Sequence, residues 1–286
     1  MEETCFTMAP ASPATKAGVP EAGVPEAGLA RDPAEAAARR RPLRWAWDTL
    51  CFIFVLILLA ICFAVWSLIA TVLTRFLPRR FGQRLGQGAI TMFFRFFLWA
   101  MRGLGIARLD LAALDGLDQD QGVVFAANHL ALLDILLLAS RLPRTLCIIK
   151  AGLWGNPLLG GGRLAGYIRN DDPLRLIRNA ATALREGSNL LIFPEGTRQP
   201  AGRMGSFRPG FALIAKQARA PVQAIFIESN SGYLRKGWPL WRRPEFPLEY
   251  RVTLGPRLAV QGRAEDFSQE LRKLFLEQLQ PAVPNS

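Results

Sequence analysis

This chain of 286 residues has a single histidine, His129, and four cysteines, Cys5, Cys51, Cys62 and Cys147. No two of those cysteines stand in CxxC or zinc-finger spacing, so neither a disulfide framework nor a structural zinc is indicated, and a reducing compartment fits them best. GxGxxG, the P-loop and GxSxG are all missing, and GNPLLGGGR, though rich in glycine, lacks the Lys-Ser/Thr pair that holds a nucleoside triphosphate. There is no cluster of metal-binding carboxylates, which disfavours metal-assisted attack on a phosphate ester. No RNP, KH or helix-turn-helix pattern accompanies the basic residues, so nucleic acid is not an expected partner.

What is abundant is positive charge and apolar surface. Thirty-five Lys and Arg face 23 Asp and Glu, a net charge of +12, and half the residues are hydrophobic. Such a balance suits anionic lipid or a phosphorylated substrate. Residues 1–44 form an Ala/Pro/Gly-rich tail with the repeat AGVPEAGVPEAG, which has little to bury and is expected to be disordered, either an inert extension or a regulatory arm.

After Arg39, Arg40, Arg41 and Arg44 comes Leu50 to Leu73, 24 residues without charge or proline. As a helix it would reach about 36 Å, enough to cross a bilayer, with Trp45, Trp47 and Trp66 as interfacial anchors. Arginines follow it too, at positions 75, 79, 80 and 84, so charge alone sets no orientation. A second apolar stretch, Ala89 to Gly105, carries Arg95 and Arg102 and reads as an interfacial helix whose arginines reach headgroups. Residues 45–106 are therefore a membrane-embedded unit, built as one crossing plus a surface helix or as a two-helix hairpin in one leaflet.

Residues 107–282 read as a soluble α/β domain. Apolar strands (GVVFAAN, TLCIIK, NLLIF, VQAIFIES) alternate with helices, among them one opened by Asp172-Pro173 and closed by Gly187. This alternation predicts a mostly parallel sheet covered by helices, with ligands gathering at the strand ends.

At one such end stands NHLALLD. His129 follows a strand and Asp134 lies in the next helix, an acid that is costly in an apolar run unless it is hydrogen-bonded. If the ring sits in the loop, the carboxylate can reach back to one nitrogen, fix the tautomer and leave the other nitrogen as a base. Taken alone, the pair is equally readable as a packed ring beside an acid bonded to backbone. PEGTR follows another strand: Glu195 is suited to bracing a loop, Gly196 to a tight turn, and Arg198 offers a donor fork for phosphate. Lys150 and Arg169 also end strand-like segments. Cations beside a His–Asp pair suggest a phosphorylated substrate held against a base.

These residues carry a resemblance. Asn128, His129 and Asp134 form NHxxxxD, Phe193 to Arg198 form FPEGTR, and Lys150, Gly166 and Arg169 match an intervening segment, with Phe207, Arg208, Gly210 and Pro221 downstream. Over roughly Val123 to Ser229 the chain resembles the membrane-associated glycerolipid acyltransferases, the lysophosphatidic acid acyltransferases in particular. The resemblance implies the fold of that family and acyl transfer from acyl-CoA or acyl carrier protein, as co-substrate, to the hydroxyl of 1-acyl-sn-glycerol 3-phosphate, giving phosphatidic acid. It implies His129 and Asp134 as catalytic residues and Lys150, Arg169, Glu195, Gly196, Thr197 and Arg198 as the acceptor-binding set. No metal or other cofactor is implied, and the catalytic domain is expected at the cytoplasmic face of a membrane. Acylation of another lysolipid, a hydrolase using the same dyad, and a catalytically silent membrane scaffold are the alternatives.

Overall fold

A computed structural model describes residues 42–142, 144–198 and 204–279, so most of the expected tail lies outside the described residues. Between Leu43 and Leu77 the sequence holds neither glycine nor proline, and the chain forms one long helix, α1 (Pro42–Phe76). Among the described residues it is the one helix long and apolar enough to cross a membrane, and only 17% of its most apolar window is buried. Protein covers so little of this surface that lipid is its natural solvent.

Pro78 ends that helix and sits directly before the next, α2 (Arg79–Gly103). This amphipathic helix begins ten residues earlier than the apolar stretch at Ala89 implied. The charged turn Arg79–Arg84 continues the helix, and Gly82 and Gly86 are kept there by close packing. An added Cβ at Gly86 would stand 2.6 Å from the backbone nitrogen of Ala165. From the other side, a Cβ at Gly160 would stand 2.2 Å from the carbonyl oxygen of Ser67 on α1. The glycine-rich segment, which includes α4 (Gly160–Leu164), is thus wedged between α1 and α2. Its glycines serve close approach of backbones.

The α/β part of the chain is built on a six-stranded sheet. Its strands are β1 (Ala107–Asp110), β2 (Val124–Ala127), β3 (Thr145–Leu146), β6 (Asn189–Ile192), β7 (Val222–Ser229) and β8 (Leu248–Leu258), in the order β1-β8-β7-β2-β6-β3. β3, β6, β2 and β7 run parallel, as the strand–helix alternation predicts. β8 returns antiparallel to β7 and carries β1 parallel to itself at the edge. TLCIIK divides at Cys147: β3 pairs with β6, while β4 (Ile148–Lys150) leaves the main sheet and pairs with β5 (Ile168–Asn170) in a separate two-stranded ladder.

Alternation along the central strands sorts side chains onto two faces. Phe125, Ala127, Ile225 and Ile227 pack with α1, α2 and α3 (Leu133–Ala139). Val124, Ala126, Val222, Ala224 and Phe226 pack with α5 (Pro173–Arg185), α6 (Gly210–Ala218) and α7 (Ala264–Leu279). All four residues of β2 are buried, so the strand that delivers Asn128 and His129 is a rigid platform.

Candidate active site

The parallel register of β2 and β6 explains why two distant motifs meet. Ala126 stands opposite Ile192, and continuing that offset past the strand ends sets His129 beside Glu195. The backbone N–H of His129 donates to Glu195 Oε1 at 3.2 Å, and Glu195 Oε2 accepts from the N–H of Gly205 at 3.0 Å. Glu195 is buried, and its carboxylate ties the histidine loop to the segment beyond FPEGTR. On the other side of β2, Asn128 exchanges two hydrogen bonds with the backbone of Ile227, accepting at 2.8 Å and donating at 2.9 Å. The side chain extends the ladder by one rung where the backbone leaves it.

His129 therefore emerges from a loop fixed on both sides. Asp134 falls in the first turn of α3, and its Oδ2 lies 2.9 Å from His129 Nδ1 while accepting the N–H of Ala131 at 2.7 Å. The carboxylate is fully buried. Burial pushes its pKa up, and the hydrogen bonds from His129 and Ala131 pull against that shift. The imidazole stacks on Phe193, with ring centroids 4.0 Å apart and an 18° tilt. With Nδ1 turned to the carboxylate and the ring clamped flat, Nε2 is the nitrogen available to a substrate.

The rest of FPEGTR forms a turn. Gly196 has φ +70, and its N–H donates to the carbonyl of Phe193 at 2.9 Å. That N–H is committed to the turn. A side chain at Gly196 would be strained by the backbone and would press on Arg208, 3.2 Å from its Nε. Thr197 is exposed beside it. Arg198 donates through Nη1 to the carbonyl of Leu234 at 2.8 Å, and the same carbonyl accepts the N–H of Leu132 in the histidine loop at 3.3 Å.

Comparison with known proteins fits this arrangement. The family model described as "Acyltransferase" matches residues 108–228, which include both motifs. At the family level the chain matches the glycerolipid acyltransferases. It is 25% identical over 228 residues to a 1-acyl-sn-glycerol-3-phosphate acyltransferase of Pseudomonas aeruginosa, covering 77% of this chain and 85% of that one. A 1-acyl-sn-glycerol-3-phosphate acyltransferase of Cocos nucifera is 28% identical over 252 residues, 82% and 75% of the two chains. The crystal structure of the 1-acyl-sn-glycerophosphate (LPA) acyltransferase PlsC from Thermotoga maritima superposes with a TM-score of 0.61 at 21% identity, over 84% of this chain and 99% of that one, and shows the shared fold.

In this acyltransferase the expected acceptor-binding residues divide into two groups. Glu195 bonds to the histidine loop directly, Arg198 shares the Leu234 carbonyl with it, and Gly196 and Thr197 lie between them in the turn. Lys150 and Arg169 lie on the separate β4–β5 ladder, one register position apart, where Lys150 faces Asn170 and Arg169 faces Ile149. Arg169 pairs with Asp171 at 3.1 Å and is half-exposed. Among the described residues no hydrogen bond links either cation to the dyad, because TLCIIK leaves the main sheet before Lys150 is reached. Sequence reasoning passed over Leu234, whose carbonyl fastens both Arg198 and the histidine loop, and the stacking role of Phe193. Leu234 lies between β7 and β8 in a stretch with no motif, and its one unusual feature, φ +60, is visible only in the backbone.

Proposed function

We propose that this enzyme transfers an acyl group from a thioester carrier, acyl-CoA or acyl carrier protein, to the free hydroxyl of 1-acyl-sn-glycerol 3-phosphate, giving phosphatidic acid. The observation that carries the reading is the His129–Asp134 pair held 2.9 Å apart at the end of β2. His129 Nε2 takes the hydroxyl proton as the oxygen attacks the thioester carbonyl. The C–S bond breaks, the ester C–O bond forms, and the proton passes to the departing thiolate. Asp134 keeps the ring in the productive tautomer and stabilises the imidazolium that forms. The hydroxyl is itself the nucleophile, so no serine or cysteine intermediate is needed.

Glu195 acts as a positioning residue through the His129 backbone. Arg198, with one N–H on Leu234, turns its remaining donors to the acceptor phosphate. Lys150 and Arg169 supply further positive charge from the smaller ladder. The names of the relatives support the choice of acceptor. Cys147, the described cysteine of the α/β domain, is free, which suits a reducing, cytoplasmic placement.

The packing of α1 supports the hairpin arrangement. Asp48, near its start, pairs with Arg243 at 3.4 Å, and Thr71, near its end, accepts from Arg163 Nη2 at 3.1 Å. The catalytic domain thus grips both ends of the apolar run. An α1 lying in one leaflet satisfies both contacts without drawing Arg163 or Arg243 through a hydrocarbon core.

The test is the purified protein in bilayers, given isotope-labelled acyl-CoA and a panel of lysolipids, with products identified by mass. Labelled phosphatidic acid is the expected product. A label appearing only in another phospholipid would move the reading to that acceptor, and no labelled lipid would end it.

A further inference from the structure

A second basic site lies away from the dyad. Between α2 and the end of α3 is a cavity of about 440 Å³ whose rim carries four arginines, Arg84, Arg95, Arg141 and Arg144, with Gln87 and Thr91 between them. On α2, positions 84, 87, 91 and 95 recur at helical spacing and share one face. Two of the arginines have structural work. Arg95 Nε donates to the carbonyl of Ser140 at 2.7 Å and, with Thr91, which donates to the carbonyl of Ala139, satisfies the free carbonyl end of α3. Arg141 pairs with Asp115 at 2.6 Å.

Arg84 and Arg144 are different. Both are exposed, and neither bonds to another side chain among the described residues. Arg144 holds φ +51, a conformation that non-glycine residues adopt rarely, and its carbonyl is pinned there by the N–H of Asn189 at 3.0 Å. The sheet thus fixes this arginine in an uncommon conformation at the rim. One carboxylate contact against four guanidinium groups leaves a local excess of positive charge that attracts an anion.

We propose that this cleft binds a phosphate monoester or diester, as a site separate from the acceptor pocket at the dyad. Arginine forks match phosphate oxygens in pairs, and the volume falls in the range of small-ligand pockets. By the β3–β6–β2 register Arg144 stands level with Gly122, at the opposite end of the sheet from His129 and roughly 23 Å away at about 3.3 Å per residue. The phosphate of an acceptor whose hydroxyl is at His129 does not reach it. Two sources offer the chemistry: the headgroup of an anionic lipid beside the amphipathic α2, and a phosphate of the soluble acyl carrier.

The experiment compares the wild-type protein with Arg84→Gln/Arg144→Asn, asparagine being chosen because it tolerates positive φ. Binding of inorganic phosphate and of adenosine 3′,5′-bisphosphate is followed by calorimetry on the full chain in detergent. Association with phosphatidylglycerol is followed as its enrichment around the protein in mixed nanodiscs. A second pair, Arg108→Gln/Arg263→Gln, removes equal charge from exposed positions elsewhere. The cleft variant is expected to lose at least about tenfold in affinity for one probe, with the control pair unchanged. Loss against the bisphosphate assigns the soluble carrier, loss against phosphatidylglycerol assigns the headgroup, and loss against inorganic phosphate alone assigns the free anion. Equal behaviour of the two variant pairs toward every probe would overturn the site. No probe requires turnover, so this result stands apart from the acyl-transfer reading, which a normal product assay tests on its own.

Discussion

Replacing Asp134 with asparagine separates chemistry from folding at the dyad. The wild-type carboxylate is fully buried and accepts bonds from His129 Nδ1 and the Ala131 N–H through one oxygen. An asparagine amide fits the same space and can keep the Ala131 bond. It cannot stabilise an imidazolium as a carboxylate does: with its oxygen in the Oδ2 place it keeps both bonds only as a neutral acceptor, and with the amide turned over its NH₂ donates to Nδ1, puts the proton on Nε2 where a base is needed, and leaves the Ala131 N–H without that acceptor. A hydrogen bond to a charged partner is worth about 1.5–3 kcal/mol, or roughly 10- to 150-fold in rate, and loss of the correct tautomer extends this toward 10⁴. Acyl transfer should therefore fall by about 10²–10⁴ in kcat. Stability should move the other way. The native Asp134 pKa lies above its ordinary value of 3.8, so below that value both folded and unfolded chains hold the proton and the native carboxyl is fully tolerated. As pH rises through the native pKa the contribution is lost, because the buried group must ionise. At neutral pH the Asn variant should melt at or above the wild-type temperature, with the gap closing toward acid pH. Activity and melting temperature measured on the same detergent preparation decide the matter. Wild-type activity would refute the dyad, and a large fall in melting temperature together with activity would make Asp134 structural.

Other perturbations follow from the packing. Gly86→Ala drives a Cβ to 2.6 Å from the Ala165 nitrogen, and overpacking of about 1–3 kcal/mol should exceed the gain of at most about 1 kcal/mol in helix propensity. Gly88→Ala meets nothing within 4 Å and should raise stability by up to about 1 kcal/mol, so paired melting curves that respond alike would contradict the wedge. Arg198→Lys keeps charge but loses the fork, and should raise the KM for a phosphorylated acceptor about tenfold while leaving the donor KM alone; the reverse pattern would assign Arg198 to the acyl carrier. Single cysteines at the exposed positions Trp47 and Phe76, in a chain otherwise free of cysteine, should react with an impermeant reagent from the same side of a sealed vesicle. Labelling from opposite sides would mean that α1 crosses the bilayer.

The sequence was most informative where one physical rule acts along the chain. Strand–helix alternation predicted the parallel β3-β6-β2-β7 core, and the long uncharged run predicted α1. The His129–Asp134 meeting was foreseeable because an acid in an apolar helix needs a partner and the loop allowed one. What depended on contacts between distant segments was hidden. The glycines of GNPLLGGGRLAG spoke in sequence only against a nucleoside-triphosphate loop, and their packing between α1 and α2 became visible only once both helices were placed. Lys150 looked equivalent to the residues at the main sheet's edge, yet the strand changes partners at Cys147, and no local propensity marks that exchange. Leu234 carries its function on a backbone carbonyl, which side-chain patterns do not report.

The central claim is that His129 is the base for acyl transfer to a lipid hydroxyl. Wild-type protein and His129→Ala, matched for folding and bilayer content, would be given isotope-labelled acyl-CoA and 1-acyl-sn-glycerol 3-phosphate, with labelled phosphatidic acid counted over time. The account predicts steady product from the wild type and a rate at least about 10²-fold lower from the variant. Equal rates from the two proteins would contradict it.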